Sequence, residues 1–233
     1  MAQEIINARP FAFLDDAPAE ARRSLAISNR HLLDVEDAAQ MAQLDASAIR
    51  QVQQEAWPGV ENVDECHDAL ILLGWLTAEE IQTRKLQAYL DELATQARAT
   101  CCVLNGQTLW VAAERLHEMQ SLFPNLTLQT DIRALFPTTS AEVAARELLR
   151  SRLECSGPLS LADCLTKLPL AAAPMQQALL ALEQDGFAIR GKFSAEQQQW
   201  CDRRLLARIN RYTVKSLRKE IEPVSAADFM RFL

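Results

Sequence analysis

A mainly α-helical protein with small β-hairpins is the fold class that this 233-residue sequence predicts, and three observations predict it. The 36 alanines and 34 leucines supply strong helix formers throughout the chain. Glycine, which parallel α/β folds use in tight turns, occurs only six times. With 49% hydrophobic residues the chain can build one large or two small cores, which excludes disordered and collagen-like polymers.

The elements follow from start and stop signals. Residues 1–17, with Pro10-Phe11-Ala12-Phe13-Leu14, read as an ordered docking arm. Asp16 and Pro18 open a helix to about His31, and Asp45 caps another that must stop at Trp57-Pro58-Gly59. A third helix follows Asn62 and ends at Gly74. Thr77-Ala78-Glu79-Glu80 has the spacing of a capping box, which predicts one helix reaching about Arg98. Two apolar runs around Asn105-Gly106, Cys101–Leu104 and Thr108–Val111, predict a hairpin, and a helix from about Ala112 to Phe123 follows. Prolines from Pro124 to Pro137 suggest a domain boundary near 137.

Beyond it, Ser140 can cap a helix to about Arg152, and a short helix starts after Ser160. A third spans about Ala173 to Asp185 and ends at Gly186. Phe187–Phe193 reads as strand, turn, strand, with Arg190-Gly191-Lys192 at the tip. Three helices running into such a hairpin is the order of a winged helix, and the first unit offers the same ingredients, so tandem winged-helix (helix-turn-helix) units are expected. The expected domains are 1–137, a helical and winged-helix-like unit with the arm; 138–198, a winged helix; and 199–233, a basic amphipathic helix opening a further unit. Asp228–Leu233 is apolar and uncapped, so the chain is expected to continue beyond Leu233.

Charge is segregated. The net charge of −7 hides a segment, residues 190–220, with nine basic and three acidic side chains, whereas residues 1–189 hold 14 basic and 26 acidic ones. Local field rather than net charge attracts phosphate. From Trp200 to Ile221 no Pro or Gly interrupts; Leu206, Ile209, Thr213, Leu217 and Ile221 fall on one helical stripe, and Arg204, Arg208, Arg211, Lys215 and Arg218 fall opposite it. These five, with Arg190 and Lys192 of the wing, are the candidate DNA-binding residues; the contrasting reading is a solvated face or one paired with acidic segments. The helix over 173–185 carries Gln176 and Gln177 but no cation, a poor equipment for reading bases.

Other chemistry finds little support. No Walker or Gly-rich dinucleotide loop and no zinc spacing is present, so no cofactor and no metal are expected, and catalytic residues are unknown. Cys66-His67 cannot act as nucleophile and base, because adjacent helical residues diverge. The six cysteines show no CxxC and are expected reduced and buried. No apolar run of about 18 residues and no signal-peptide pattern occur, so no membrane association and a cytoplasmic location are expected.

Trp200-Cys201-Asp202-Arg203-Arg204-Leu205-Leu206-Ala207-Arg208-Ile209-Asn210-Arg211-Tyr212-Thr213, followed by Glu222–Leu233, resembles the C-terminal extension of the bacterial large helicase-related (Lhr) proteins. Arg9–Pro18, Glu55-Ala56-Trp57-Pro58, His67–Leu70 and Leu109–Leu116 extend the resemblance over nearly the whole chain. It implies a piece of a superfamily 2 ATP-dependent DNA helicase tied to DNA repair, whose motor domains, with their ATP and Mg, are absent here. DNA and the rest of the parent protein are the implied partners, with a possible homo-oligomer. The family's extension is similar to tandem winged-helix DNA glycosylases that use a Gln-x-Gln element; Gln51-Val52-Gln53 matches its letters inside a predicted helix, and no catalytic residue is transferred. Three functions are therefore carried forward: a noncatalytic DNA-binding module, an oligomerisation or interdomain scaffold, and part of a base-excision domain.

Overall fold

The computed structural model describes residues 44–220 except 131, 195 and 196. The expected arm, the helix after Asp16, Ile221 of the apolar stripe and the segment after Pro223 lie outside the described residues. The fold is mainly helical with two small antiparallel sheets.

Helix α1 (Ala46–Ala56) starts where the Asp45 carboxylate accepts from the Ser47 amide, and α2 (Val63–Leu73) where Asn62 accepts from Glu65. Gly74, at φ +82°, ends α2 and turns the chain into β1 (Leu76–Thr77). Thr77 and Glu80 form the anticipated reciprocal cap of α3 (Ala78–Arg84). The single helix expected up to Arg98 is instead two. Ile81 and Leu90 would lie 180° apart on an unbroken helix, yet both are buried in one core. A left-handed residue, Lys85 at φ +58°, breaks the helix and re-aims α4 (Gln87–Thr95) so that Leu86, Leu90 and Leu93 point inward with Ile81.

The expected hairpin is β2 (Ala99–Leu104) paired with β3 (Gln107–Ala112). Asn105 and Gly106 both take positive φ, as a two-residue primed turn requires. Ala112 still pairs with Ala99, so α5 (Leu116–Leu122) begins four residues later than anticipated. β4 (Thr127–Leu128) completes a sheet of order β1-β3-β2-β4.

A second set of elements repeats the order. α6 (Ala141–Ser156) is capped by Ser140; β5 (Leu159–Ser160) leads into α7 (Leu161–Lys167) through a Ser160/Asp163 capping box; α8 (Ala172–Gln184) follows. β6 (Ala188–Gly191) and β7 (Gln199–Asp202) complete a sheet of order β5-β7-β6, in which the short first strand pairs with the second strand of the hairpin, as β1 does with β3. The anticipated tight strand-turn-strand over 187–193 is corrected here. Arg190 pairs opposite Trp200, and Lys192 opens a loop that runs to Gln198. Phe193 is drawn against the cluster containing Leu205 rather than into a return strand, and Gln199 Oε1 accepts from Ser194 N and Oγ, both at 3.0 Å, to close the loop. Trp200-Cys201-Asp202, anticipated as helix, is therefore strand, and α9 (Arg203–Glu220) starts at Arg203.

One apolar core runs from Trp75, Cys102 and Val111 through Leu148 and Leu153 to Leu179 and Trp200, so the two sets of elements share an interior. A second core lies under α2, α4 and the first sheet. Each fully buried leucine there, such as Leu70, Leu73 or Leu90, contributes about 1.5–3 kcal/mol relative to exposure. All six cysteines are free and buried. No helix among the described residues is long and apolar enough to cross a membrane.

Candidate nucleic-acid interface

The basic helix α9 is held by α1. Ile49 and Val52 of α1 pack with Cys201, Leu205 and Ile209, and the Asp45 amide donates to Thr213 Oγ1 at 3.1 Å, so the two helices run antiparallel. The packed stripe is Leu205, Ile209 and Thr213; it is rotated from the one expected, leaving Leu206 half-buried and Leu217 51% exposed. The rotation follows from the start of the helix. Asp202 Oδ1 accepts from Arg204 N (2.7 Å) and Leu205 N (2.9 Å), which fixes the first turn and directs Leu205 inward.

Opposite the packed stripe, Arg204, Arg211, Lys215 and Arg218 are exposed. No carboxylate among the described residues pairs with them. From Arg204 to Arg218 the row rises about 21 Å along the helix, which matches about six phosphates of one strand at 3.4 Å each. Arg208 differs: it sits at the edge of the seam and pairs with Glu55 of α1, whose Oε2 also accepts from Tyr212 Oη at 3.0 Å. The hydrogen bond from Gln51, together with those from Arg208 and Tyr212, holds the Glu55 carboxyl below its usual range. Arg208 is thus committed to protein as much as to solvent.

On β6, Arg190 Nε lies 3.3 Å from Glu183 of α8, which also takes Trp200 Nε1 at 3.3 Å. Lys192 is exposed at the start of the loop. Gln176 and Gln177 are exposed on α8, while Leu179 and Leu182 are fully buried beneath them. The seven sequence candidates therefore separate into four cations in one exposed row, one exposed cation just after β6, and two paired with carboxylates.

The remaining candidates do not assemble a reaction centre. Cys66 is buried and its thiol is pushed up to about 11, the opposite of an activated nucleophile. His67 instead joins a structural array, with Nδ1 3.0 Å from Arg98 Nη2 and Nε2 3.1 Å from Glu114. Gln51 bonds Glu55 on the same helix, whereas Gln53 faces Gly157, so the Gln-x-Gln letters do not converge. Among the described residues no three of His, Cys, Asp and Glu gather as a metal site.

A site the sequence did not reveal lies between α1 and the ends of α3, α6 and α7. Arg50, Gln53, Gln54, Trp57, Arg84, Ser156 and Lys167 line a groove of about 290 Å³. Its residues come from segments more than 100 positions apart and carry no motif.

The chain is 28% identical, over an alignment of 240 residues covering 96% of its length, to a protein of Mycolicibacterium smegmatis described as an Lhr helicase and probable uracil glycosylase. It spans 16% of that protein. No protein-family model matches the chain. The resemblance to Lhr-like proteins read from the sequence is thus borne out, and the length ratio is consistent with a portion of a larger protein.

Proposed function

We propose that this chain is a noncatalytic DNA-binding module of a larger helicase-related protein, built from two winged-helix units that meet near residue 137. The observation that carries the reading is α9, docked by one face and presenting Arg204, Arg211, Lys215 and Arg218 on the other. Support for the winged-helix reading comes from the repeated order of helix, short strand, two helices and hairpin, in which the short strand pairs with the second strand of the hairpin. In it, α8 with Gln176 and Gln177 approaches the duplex weakly, the loop after β6 supplies Lys192, and α9 supplies phosphate contacts of low sequence preference. The ATP-driven motor, with its Mg, belongs to the rest of the parent protein.

The test is fluorescence anisotropy with labelled single-stranded and duplex DNA at two salt concentrations. Wild type binds and weakens with salt; Arg204, Arg211 and Lys215 changed together to Glu abolishes binding with an unchanged thermal midpoint. Absence of wild-type binding overturns the proposal. A second reading, participation in base excision, is favoured by the description of the M. smegmatis protein. Incubation with uracil-containing duplex and assay for abasic sites decides it: sites above the no-protein level support it, and none refutes it for this chain alone.

A further inference from the structure

The groove beside Trp57 has more donors than acceptors. Arg152 is 1% exposed and has one carboxylate partner, Glu80, at 2.8 Å; its Nε and Nη1 bond nothing in the described structure. Lys167 Nζ shares the same carboxylate at 2.7 Å. Two further donors at the same place, Trp57 Nε1 and Ser156 Oγ, are buried without partners among the described residues. Arg84 lies over the Trp57 indole with its guanidinium carbon 4.3 Å from the ring centroid, and Arg152 lies 5.6 Å from it. Arg50 completes the lining.

Buried donors without acceptors are rare, and two of them, Trp57 Nε1 and Ser156 Oγ, belong to residues that line the groove, while Arg152 lies behind it between the Trp57 and Trp75 rings; together they mark a place for an acceptor-rich group. The formal charge of Arg50, Arg84, Arg152 and Lys167 exceeds that of Glu80 by three. The helix C-termini around the groove add partial negative charge, roughly half a unit each. Yet the orphaned donors reach none of their carbonyls, and the Lys167 carbonyl is taken by Trp75 Nε1 at 3.0 Å. The four helix ends leave about one unit of positive charge, enough for a singly charged group, and the orphaned donors ask that this group carry several oxygens rather than be a halide. The indole cannot stack a base while Arg84 covers it, so the ligand is recognised by its oxyanion.

We infer that the groove formed by Arg50, Trp57, Arg84, Ser156 and Lys167 is a phosphate-binding site, separate from the α9 row. The phosphate can be free or carried at the end of a nucleic-acid strand. The full chain, labelled with ¹⁵N, is titrated with inorganic phosphate, with a 5′-phosphorylated dinucleotide and with the same dinucleotide lacking that phosphate, against sodium chloride at matched ionic strength. The readout is the Trp57 indole N–H resonance, assigned with Trp57→Phe.

A saturable shift with a phosphate-bearing ligand and none with chloride supports the site. A shift with the phosphorylated dinucleotide alone assigns the source to nucleic acid, and one with inorganic phosphate as well assigns free phosphate. Arg50→Gln with Arg84→Gln, shown folded by circular dichroism, weakens the response at least tenfold. The α9 triple variant leaves it unchanged, so failure here and failure of the α9 reading are told apart. No saturable shift, a shift that follows ionic strength alone, or an undiminished response in the folded double variant overturns the proposal.

Discussion

Asp202 is 3% exposed and serves two backbone amides at once, which makes it the residue that sets how α9 leaves the sheet. Asp202→Ala is expected to lower stability by about 0.5–2 kcal/mol in urea denaturation, with the loss reversed largely by Asn. Glu118 acts through pH. Burial pushes its carboxyl up to about 7, with Arg115 opposing and Glu147 adding to the rise. Below the ordinary value near 4.5 the group is protonated in folded and unfolded chains alike. Between 4.5 and about 7 the unfolded chain releases a proton that the folded chain keeps, so this group's contribution to stability falls as pH rises and levels off above. Glu118→Gln should therefore flatten the stability profile between pH 5 and 7.5; a variant with the wild-type slope would refute the assignment. His67 is fixed as a tautomer by geometry alone. Arg98 can only donate, so Nδ1 is the acceptor and Nε2 carries the hydrogen toward Glu114.

At the scale of the element, α9 joins two roles on opposite faces, and the roles can be separated. Arg208→Glu sets a second carboxylate against Glu55 and should lower the melting temperature, whereas the same change at Arg211 should leave it unaltered while weakening DNA binding. Equal melting losses for both would show that the seam is not where Glu55 and Tyr212 place it. Much of this was readable in advance. Asn105-Gly106, the Thr77 and Ser160 caps and the alternation of Arg204, Arg208, Arg211, Lys215 and Arg218 are local signals, and each forms the element it implies. What could not be read depends on distant partners. The break at Lys85 follows from where Ile81 and Leu90 must both point, the late return of the second hairpin from the pull of Phe193 toward α1 and α9, and the inward turn of Leu205 from the seat that α1 provides. The groove at Trp57 has no local signal at all, because Arg84, Arg152 and Lys167 meet only after folding.

Across the whole molecule, charge is separated so that the overall sign of −7 does not decide what is bound. Each cation of the row that neutralises a phosphate should contribute about 0.9 to the slope of log affinity against log salt, so Lys215→Ala is expected to reduce that slope by about one and weaken all sequences alike. An unchanged slope would remove Lys215 from the contact. The two sets of elements are joined tightly: Gly74, at φ +82°, has Leu148 Cδ2 3.0 Å from where a Cβ would stand, so Gly74→Ala should destabilise more than Gly106→Ala, whose φ is similar but whose surroundings are open. Equal losses in urea melts would mean that backbone strain alone matters. The pairing of α1 with α9 has a bearing on how the chain is made. Ile49 and Val52 leave the ribosome some 150 residues before Leu205 and Ile209, on the order of 10–30 s at about 5–20 residues per second. Throughout that interval the first sheet can form while the strip of α1 that packs on α9 waits for its partner, so Ile49 and Val52 stay open to chaperones and to neighbouring chains until Arg203–Glu220 has been made.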